Sequence, residues 1–231
     1  MSEPSVNVSR SEWKYYIRLM EYHYLKQLLS DVMTPDPHMG DRGEYYIRSL
    51  YFDSIDNYDY MSKLSGLKMR KKIRLRIYGK DDEKVKLEIK NRMNMQIYKE
   101  SLAISKSDAL EIIEGNPEVL LGYESSVAIK AYNTMKGQLY LPKTIVDYER
   151  EAFLYPEGNV RITFDKNIRA VASDRLFDDE LLLTPLIREP VMVLEVKYDR
   201  NLPDVIKNAI SSARILNSSI SKYCMSRELL G

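Results

Sequence analysis

A chain of 231 residues, 44% of them hydrophobic, can bury a sizeable core and is not a mainly disordered protein. Its 35 basic and 34 acidic side chains leave a net charge of +1, which excludes a molecule that attracts nucleic acid or anionic membrane by bulk charge, so cationic chemistry here has to be local. The single cysteine, Cys224, excludes an intrachain disulfide and a cysteine-based zinc site; no segment approaches the ~18 apolar residues of a membrane-spanning helix, and a cytoplasmic location is the default expectation.

Residues 1–9 read as a tail and 10–231 as one domain, since no Pro/Gly/Ser-rich linker divides the chain. SEWKYYI opens as a strand, with Glu12 and Lys14 on one face and Trp13 and Tyr15 on the other. RLMEYHYLKQLLSDVM carries apolar residues at helical spacing and stops at the loop TPDPHMGDRG. His23 and His38 have no partner histidine four residues on and read as packing or surface residues. YYIRSLYFDS is a strand, and IDNYDYMSKLSG a helical or irregular connection.

In KMRKKIRLRIYG, residues 68–79, the cations Lys68, Arg70, Lys72, Arg74 and Arg76 alternate with Met69, Ile73, Leu75 and Ile77, interrupted only by Lys71. Period two makes one strand face cationic and the other aliphatic. After the turn GKDDE the device repeats, with Lys84, Lys86, Glu88, Lys90 and Arg92 on one parity, so the two segments form a hairpin. Like charges stacked this way repel, and Glu88 alone cannot neutralise nine cations. Either the face is solvated or it binds a polyanion.

IYKESLAIS continues as a strand, and SKSDALEIIEGNP as a short helix with Ser107 as its expected N-cap. ESSVAIKAYNTMKGQL is a second helix. TIVDYEREAFLY, NVRITFDKNIRAV and PVMVLEVKYD are three further strands with charged faces, carrying Arg150; Arg161, Thr163 and Asp165; and Glu195 and Lys197. The chain closes as helix, break, helix, with Lys222 near the break and Cys224 packed in the last helix. About eight strands with charged faces and a few helices predict an α+β fold: an antiparallel sheet closed into a barrel around a charged lumen, with helices covering part of the outside.

The candidate lumen set is Lys14, Arg70, Lys72, Arg74, Arg76, Lys84, Lys86, Lys90, Arg92, Lys99, Arg150, Arg161, Lys197 and Lys222, with the acids Glu12, Glu88 and Glu195. Lys68, Arg70 and Lys84 sit near strand ends, where a solvated rim is an equal alternative. Arginine forks and mobile lysines suit a chain of phosphates, and a few glutamates among them can hold Mg²⁺ or Mn²⁺. Phosphoryl transfer needs positioning and charge neutralisation rather than a Ser-His-Asp or Cys-His unit. Mutually satisfied salt bridges lining a tunnel wall remain the plain alternative.

SEWKY, YYIRSLYFD, KLSG, RKKIRLRIYG, LEIK, DYER, VRITFD, VLEVKYD, LP and SKY, in this order, resemble the polyphosphate-polymerase domain of the vacuolar transporter chaperone (VTC) family, within the triphosphate tunnel metalloenzymes. The resemblance runs from about Arg10 to Tyr223 and is closest to the stand-alone bacterial type. It implies an eight-stranded antiparallel tunnel that binds ATP and inorganic polyphosphate and moves the γ-phosphate onto a growing chain. Position by position, Lys14, Arg74, Arg76, Lys90, Lys99, Arg150, Arg161, Lys197 and Lys222 match the family's phosphate-binding cations, and Glu195 its metal-binding glutamate. The site expectation is therefore catalytic roles for Arg74, Arg76, Lys90 and Lys222; substrate binding by Lys14, Lys72, Lys86, Lys99, Arg150, Arg161 and Lys197; and Mn²⁺ or Mg²⁺ held by Glu195, Glu12 and Glu88.

Two departures bear on activity. Arg10 stands where simple tunnel triphosphatases begin ExExK, which argues against plain triphosphate hydrolysis, and Arg92 stands where the eukaryotic polymerases carry a histidine. Neither an SPX domain nor a membrane helix is expected in this chain, so coupling to translocation would need a partner, membrane-bound or otherwise. No nucleic-acid partner is implied. A non-catalytic polyanion-binding module and a tunnel triphosphatase stay open beside the polymerase.

Overall fold

The computed structural model describes residues 10–79, 81–94 and 96–230; the tail expected over 1–9 and the side chain of Arg10 lie outside the described residues. Strand β1 (Arg10–Arg18) runs directly into helix α1 (Leu19–Ser30), and the two-residue strand β2 (Thr34–Pro35) leads through a short 3-10 turn to β3 (Tyr45–Asp53). Helix α2 (Tyr58–Leu64) precedes the cationic hairpin β4 (Met69–Ile77) and β5 (Lys84–Met93), then β6 (Gln96–Ser105). Helices α3 (Lys106–Ile113) and α4 (Ser126–Gly137) lead to the long strands β7 (Leu141–Tyr155) and β8 (Val160–Val171). After the two-residue β9 (Thr184–Pro185) come β10 (Val191–Asp199), α5 (Asp204–Ser212) and α6 (Lys222–Leu230).

The eight long strands form one antiparallel sheet in the order β1-β10-β8-β7-β3-β4-β5-β6, with β2 added to β7 and β9 to β8. The α+β antiparallel roll expected from the sequence is present, but the sheet is not closed. β1 and β6 approach one another without sharing a ladder among the described residues. Backbone groups on the open edge of β1 have another partner: Tyr15 bridges Asn217, and the Ser218 amide donates to the Lys14 carbonyl at 2.7 Å. The segment leading into α6 thus fills the seam, satisfying edge groups that a closing strand would otherwise take.

Alternation along the strands gives the sheet two apolar outer packs and a charged inner face. Outside, Leu50, Phe52, Ile73, Leu75, Leu87 and Ile89 pack with Ala109 and Ile112 of α3 and Ala128 and Ala131 of α4. On the other flank, Ile17, Ile162, Phe164, Leu194 and Val196 pack with Leu25 and Leu29 of α1 and Ile206 and Ile210 of α5. Helices cover part of the outside, as expected, but α6 lies elsewhere. Tyr223 and Cys224 of α6, with Ile220 before it, bury against Ile47, Tyr51, Val146, Tyr148 and Val193 inside the roll. Tyr223 stacks on Tyr51 at 5.3 Å and donates to Asp53 at 2.5 Å, and Asp53 also accepts the amides of Ser54, Asp59 and Tyr60 at the start of α2. One buried carboxylate therefore ties β3, α2 and α6 together.

The N-cap of α3 is Ser105, not Ser107. β6 continues through Ser105 in extended conformation, and its hydroxyl accepts the Asp108 amide at 3.0 Å. Among the described residues no helix is long and apolar enough to cross a membrane.

Candidate functional site

Strand register sets which charges meet on the inner face. Arg74 lies opposite Glu88 on β5 and Tyr51 on β3; Lys90 lies opposite Lys72 and Lys99; Lys14 faces Glu195, and Glu12 faces Lys197; Arg150 faces Asp165. Each pairing follows from a period of two on antiparallel strands, so the charged parity read from the sequence becomes a charged lining.

Three ionic knots result. In the first, buried Glu88 accepts from Arg74 Nε at 2.6 Å, with Arg76 Nε at 3.7 Å and Lys99 also in contact. Burial would raise the Glu88 carboxyl, but Arg74, Arg76 and Lys99 hold it well below the usual carboxylate range. Arg74 also donates to the Tyr51 hydroxyl at 2.9 Å, and Arg76 to those of Tyr148 at 3.2 Å and Ser49 at 3.3 Å. In the second knot, Glu195 meets Lys14 and Lys197, each at 3.2 Å, and Arg150 at 3.5 Å. Glu12 lies beside Glu195 and shares two of its cations, Lys14 at 3.8 Å and Lys197 at 3.6 Å, and it meets Lys90 at 2.9 Å. In the third, fully buried Asp165 takes a two-pronged bond from Arg150 at 2.6 and 2.8 Å and a further one from Lys222.

The Glu12–Lys90 pair joins β1 to β5 where no ladder closes the sheet. Burial pushes the Lys90 ammonium down to about 7 even with Glu12 beside it, because Lys14 and Lys197 oppose its charge. Burial likewise pushes Lys99 down to about 8, against the pull of Glu88. Lys14 moves the other way: burial would lower it, yet Glu195 and Glu12 raise it above its ordinary value. These cations lie within reach of one another, and two of them have room to gain charge when an anion arrives.

Not every expected residue joins the knots. Lys72 sits towards α6, bonded to Ser221 Oγ at 2.6 Å, with the Tyr223 ring 5.5 Å below it. Lys86 is exposed over the Tyr78 ring at 4.9 Å. Arg161 is held at the rim by Asp36 at 2.6 Å and the Tyr45 hydroxyl at 2.8 Å. Sequence reasoning left out Asp165, Tyr51, Tyr148 and Asp36. Asp165 shares the parity of Arg161 and Thr163 and was legible there, whereas Asp36 reaches Arg161 from a loop that periodicity does not describe.

Among the described residues no group of three or more His, Cys, Asp or Glu side chains gathers to hold a metal. Glu12 and Glu195 are nonetheless adjacent carboxylates, and hard oxygen donors of this kind fit Mg²⁺ or Mn²⁺ when phosphate or water oxygens complete the shell. Glu88 fits that role less well: Arg74, Arg76 and Lys99 surround it as three cations surround Glu195, but unlike Glu195 it shares no cation with a second carboxylate among the described residues.

A search of curated proteins finds no match. Among solved structures, an adenylate cyclase-like protein from Bacillus halodurans is 12% identical with a TM-score of 0.52, covering 92% of this chain and 95% of its own. A protein from Pyrococcus horikoshii, also 12% identical, has a TM-score of 0.49 over 95% of this chain and 99% of its own. The RNA triphosphatase of S. pombe, again 12% identical, has a TM-score of 0.34 over 100% of this chain and 84% of its own. At such identity the first likeness is one of fold alone. Residues 9–231 match the model of the VTC domain, and the chain belongs to that family.

Proposed function

We propose that the protein is a metal-dependent polyphosphate polymerase that transfers the γ-phosphate of ATP to a polyphosphate chain on the inner face of the roll. The observation that carries this reading is a pair of adjacent carboxylates, Glu12 and Glu195, set among Lys14, Lys90, Arg150 and Lys197. Single carboxylates such as Glu88 and Asp165 suffice to fix the arginines of a site that only binds polyanions, whereas two carboxylates side by side add a place for a hard divalent cation.

In this mechanism Arg74 and Arg76 present their forks to the phosphate oxygens, with Glu88 fixing Arg74 in place beforehand. Lys14, Lys90, Lys99 and Lys197 neutralise the accumulating charge, and Arg150 and Lys222, both aligned by Asp165, hold the transferring phosphate. A terminal oxygen of the chain attacks the γ-phosphorus, the bond from that phosphorus to the β–γ bridging oxygen breaks, and ADP leaves. Glu195 and Glu12 would hold the divalent cation, which supplies charge neutralisation at the phosphate oxygens. Lys72 binds the chain on the α6 side, and Lys86 and Arg161 meet it at the rim.

Incubation with ATP and Mn²⁺ or Mg²⁺, resolving polyphosphate, orthophosphate and ADP, tests the reading. Matched ADP and polyphosphate are expected. Orthophosphate alone would replace the polymerase with a triphosphatase, and no turnover at any metal or primer concentration would leave a binding module.

A further inference from the structure

Acids and cations are distributed differently along the inner face. Glu12, Glu88, Asp165 and Glu195 each pair with two or more cations at its centre. Where α2 and the start of α6 meet the ends of β4 and β5, that compensation stops. Lys63, Arg70, Lys72 and Arg92 gather there, and none of them pairs with a carboxylate among the described residues. Lys63 donates to Ser219 Oγ at 2.5 Å, Lys72 to Ser221 Oγ at 2.6 Å and Arg92 to the Asn94 carbonyl at 2.8 Å.

Register makes the grouping costly. Arg70 stands directly opposite Arg92, and Lys72 directly opposite Lys90, whereas Arg74 in the centre stands opposite Glu88. Like charges on facing positions destabilise a ladder, and all four side chains are half-buried, so water relieves them only in part. Burial lowers both Lys63 and Arg70, and the neighbouring Arg92 lowers both further. Ordinary solvated surface lysines do not show this combination of facing positions, partial burial and missing acids.

We propose that Lys63, Arg70, Lys72 and Arg92 form an outer subsite for the part of a phosphate chain that extends past the central Arg74–Glu195 region. The inference rests on the phosphate-handling reading above and adds where a long chain lies. Arg70 precedes Arg74 by four residues, about 13 Å along a strand, which is further than the phosphorus atoms of a triphosphate extend. Tripolyphosphate therefore engages the centre alone, while a long chain engages both regions and gains the effective concentration of a second, tethered contact.

The test compares the parent with Lys63→Ala/Arg70→Ala, titrated with tripolyphosphate and with long-chain polyphosphate. Long-chain affinity is expected to fall by roughly tenfold, with a shallower salt dependence, as two charged contacts are lost. Tripolyphosphate affinity stays at the parent value, which also reports an intact fold, and Lys63→Arg/Arg70→Lys restores long-chain binding. Equal long-chain affinity in parent and alanine variant overturns the outer subsite while leaving the central reading in place. A parent that binds neither ligand overturns both. Unchanged long-chain binding together with lost retention on phosphatidylserine vesicles would assign these cations to a lipid surface instead, beside the exposed Met61, Leu64 and Met69.

Discussion

At the scale of single residues, the inner face works through charges held slightly out of balance. Glu195 lies beside Glu12 yet stays ionised: burial would raise it, but Lys197, Lys14 and Arg150 hold it well below the usual carboxylate range. Glu195→Gln keeps size and hydrogen bonding while removing the charge that attracts a divalent cation. Metal-dependent turnover is expected to fall by about tenfold to a hundredfold, while metal-free polyphosphate binding persists or tightens. Steady-state rates and titration calorimetry on the variant read both effects, and undiminished turnover would remove Glu195 from metal binding.

Lys90 makes a separate prediction about pH. Its ammonium is lowered from 10.5 to about 7, so near neutrality the free protein holds it partly uncharged. A bound phosphate favours the charged form, so binding above about pH 7 must take up a proton from solution. Affinity for tripolyphosphate is expected to weaken as pH rises from 7 to 9 by more in the parent than in Lys90→Gln, by up to about tenfold per pH unit. The variant control removes the ligand's own ionisation, which acts in the opposite direction. For stability the sign is reversed: the unfolded chain binds the extra proton between about 7 and 10.5, so this site favours the folded state increasingly as pH rises through that window.

At the scale of elements, legibility followed periodicity. The hairpin of β4 and β5 was readable because Arg74, Arg76, Glu88 and Lys90 alternate with residues that bury against α3 and α4. The last helix was readable as a helix but not as an inner one. Its apolar residues Tyr223 and Cys224 specify burial without saying on which side of a sheet, and that side is set by long-range contacts with Tyr51 and Asp53. Ser105 was missed as a cap for a similar reason, since strand and cap share one residue there. Tyr223→Phe tests the α6 anchor. It removes one donor to Asp53 but leaves the three backbone amides that also bond it, so a loss of about 1–2 kcal/mol is expected in urea melts. An unchanged midpoint would mean that the Tyr223 hydroxyl contributes nothing measurable and that the other contacts of α6, among them the Tyr51 stacking and the Lys222–Asp165 bond, hold it.

At the scale of the molecule, a net charge of +1 conceals a sorted distribution. Cations and acids meet on the inner face of a roll whose outer faces are apolar and helix-covered, so a local field exists where the total shows none. Alternation along each strand made the antiparallel roll and most of its lining legible. The open seam was not, because closure depends on whether β6 or the segment at Asn217–Ser218 takes the free edge of β1, and both are plausible as edge partners from sequence alone. Rim placement of Arg161 was hidden too, since Asp36 draws it away from the centre across 125 positions of sequence.

The central claim is that this face holds chains of phosphate through Arg74 and Arg76. The most direct measurement is calorimetric titration of tripolyphosphate into the parent and into Arg74→Ala/Arg76→Ala at low and high salt, with circular dichroism to verify that both are folded. The account predicts binding by the parent that weakens with salt, and at least about tenfold weaker binding by the variant. Equal affinity in the two folded proteins would contradict it.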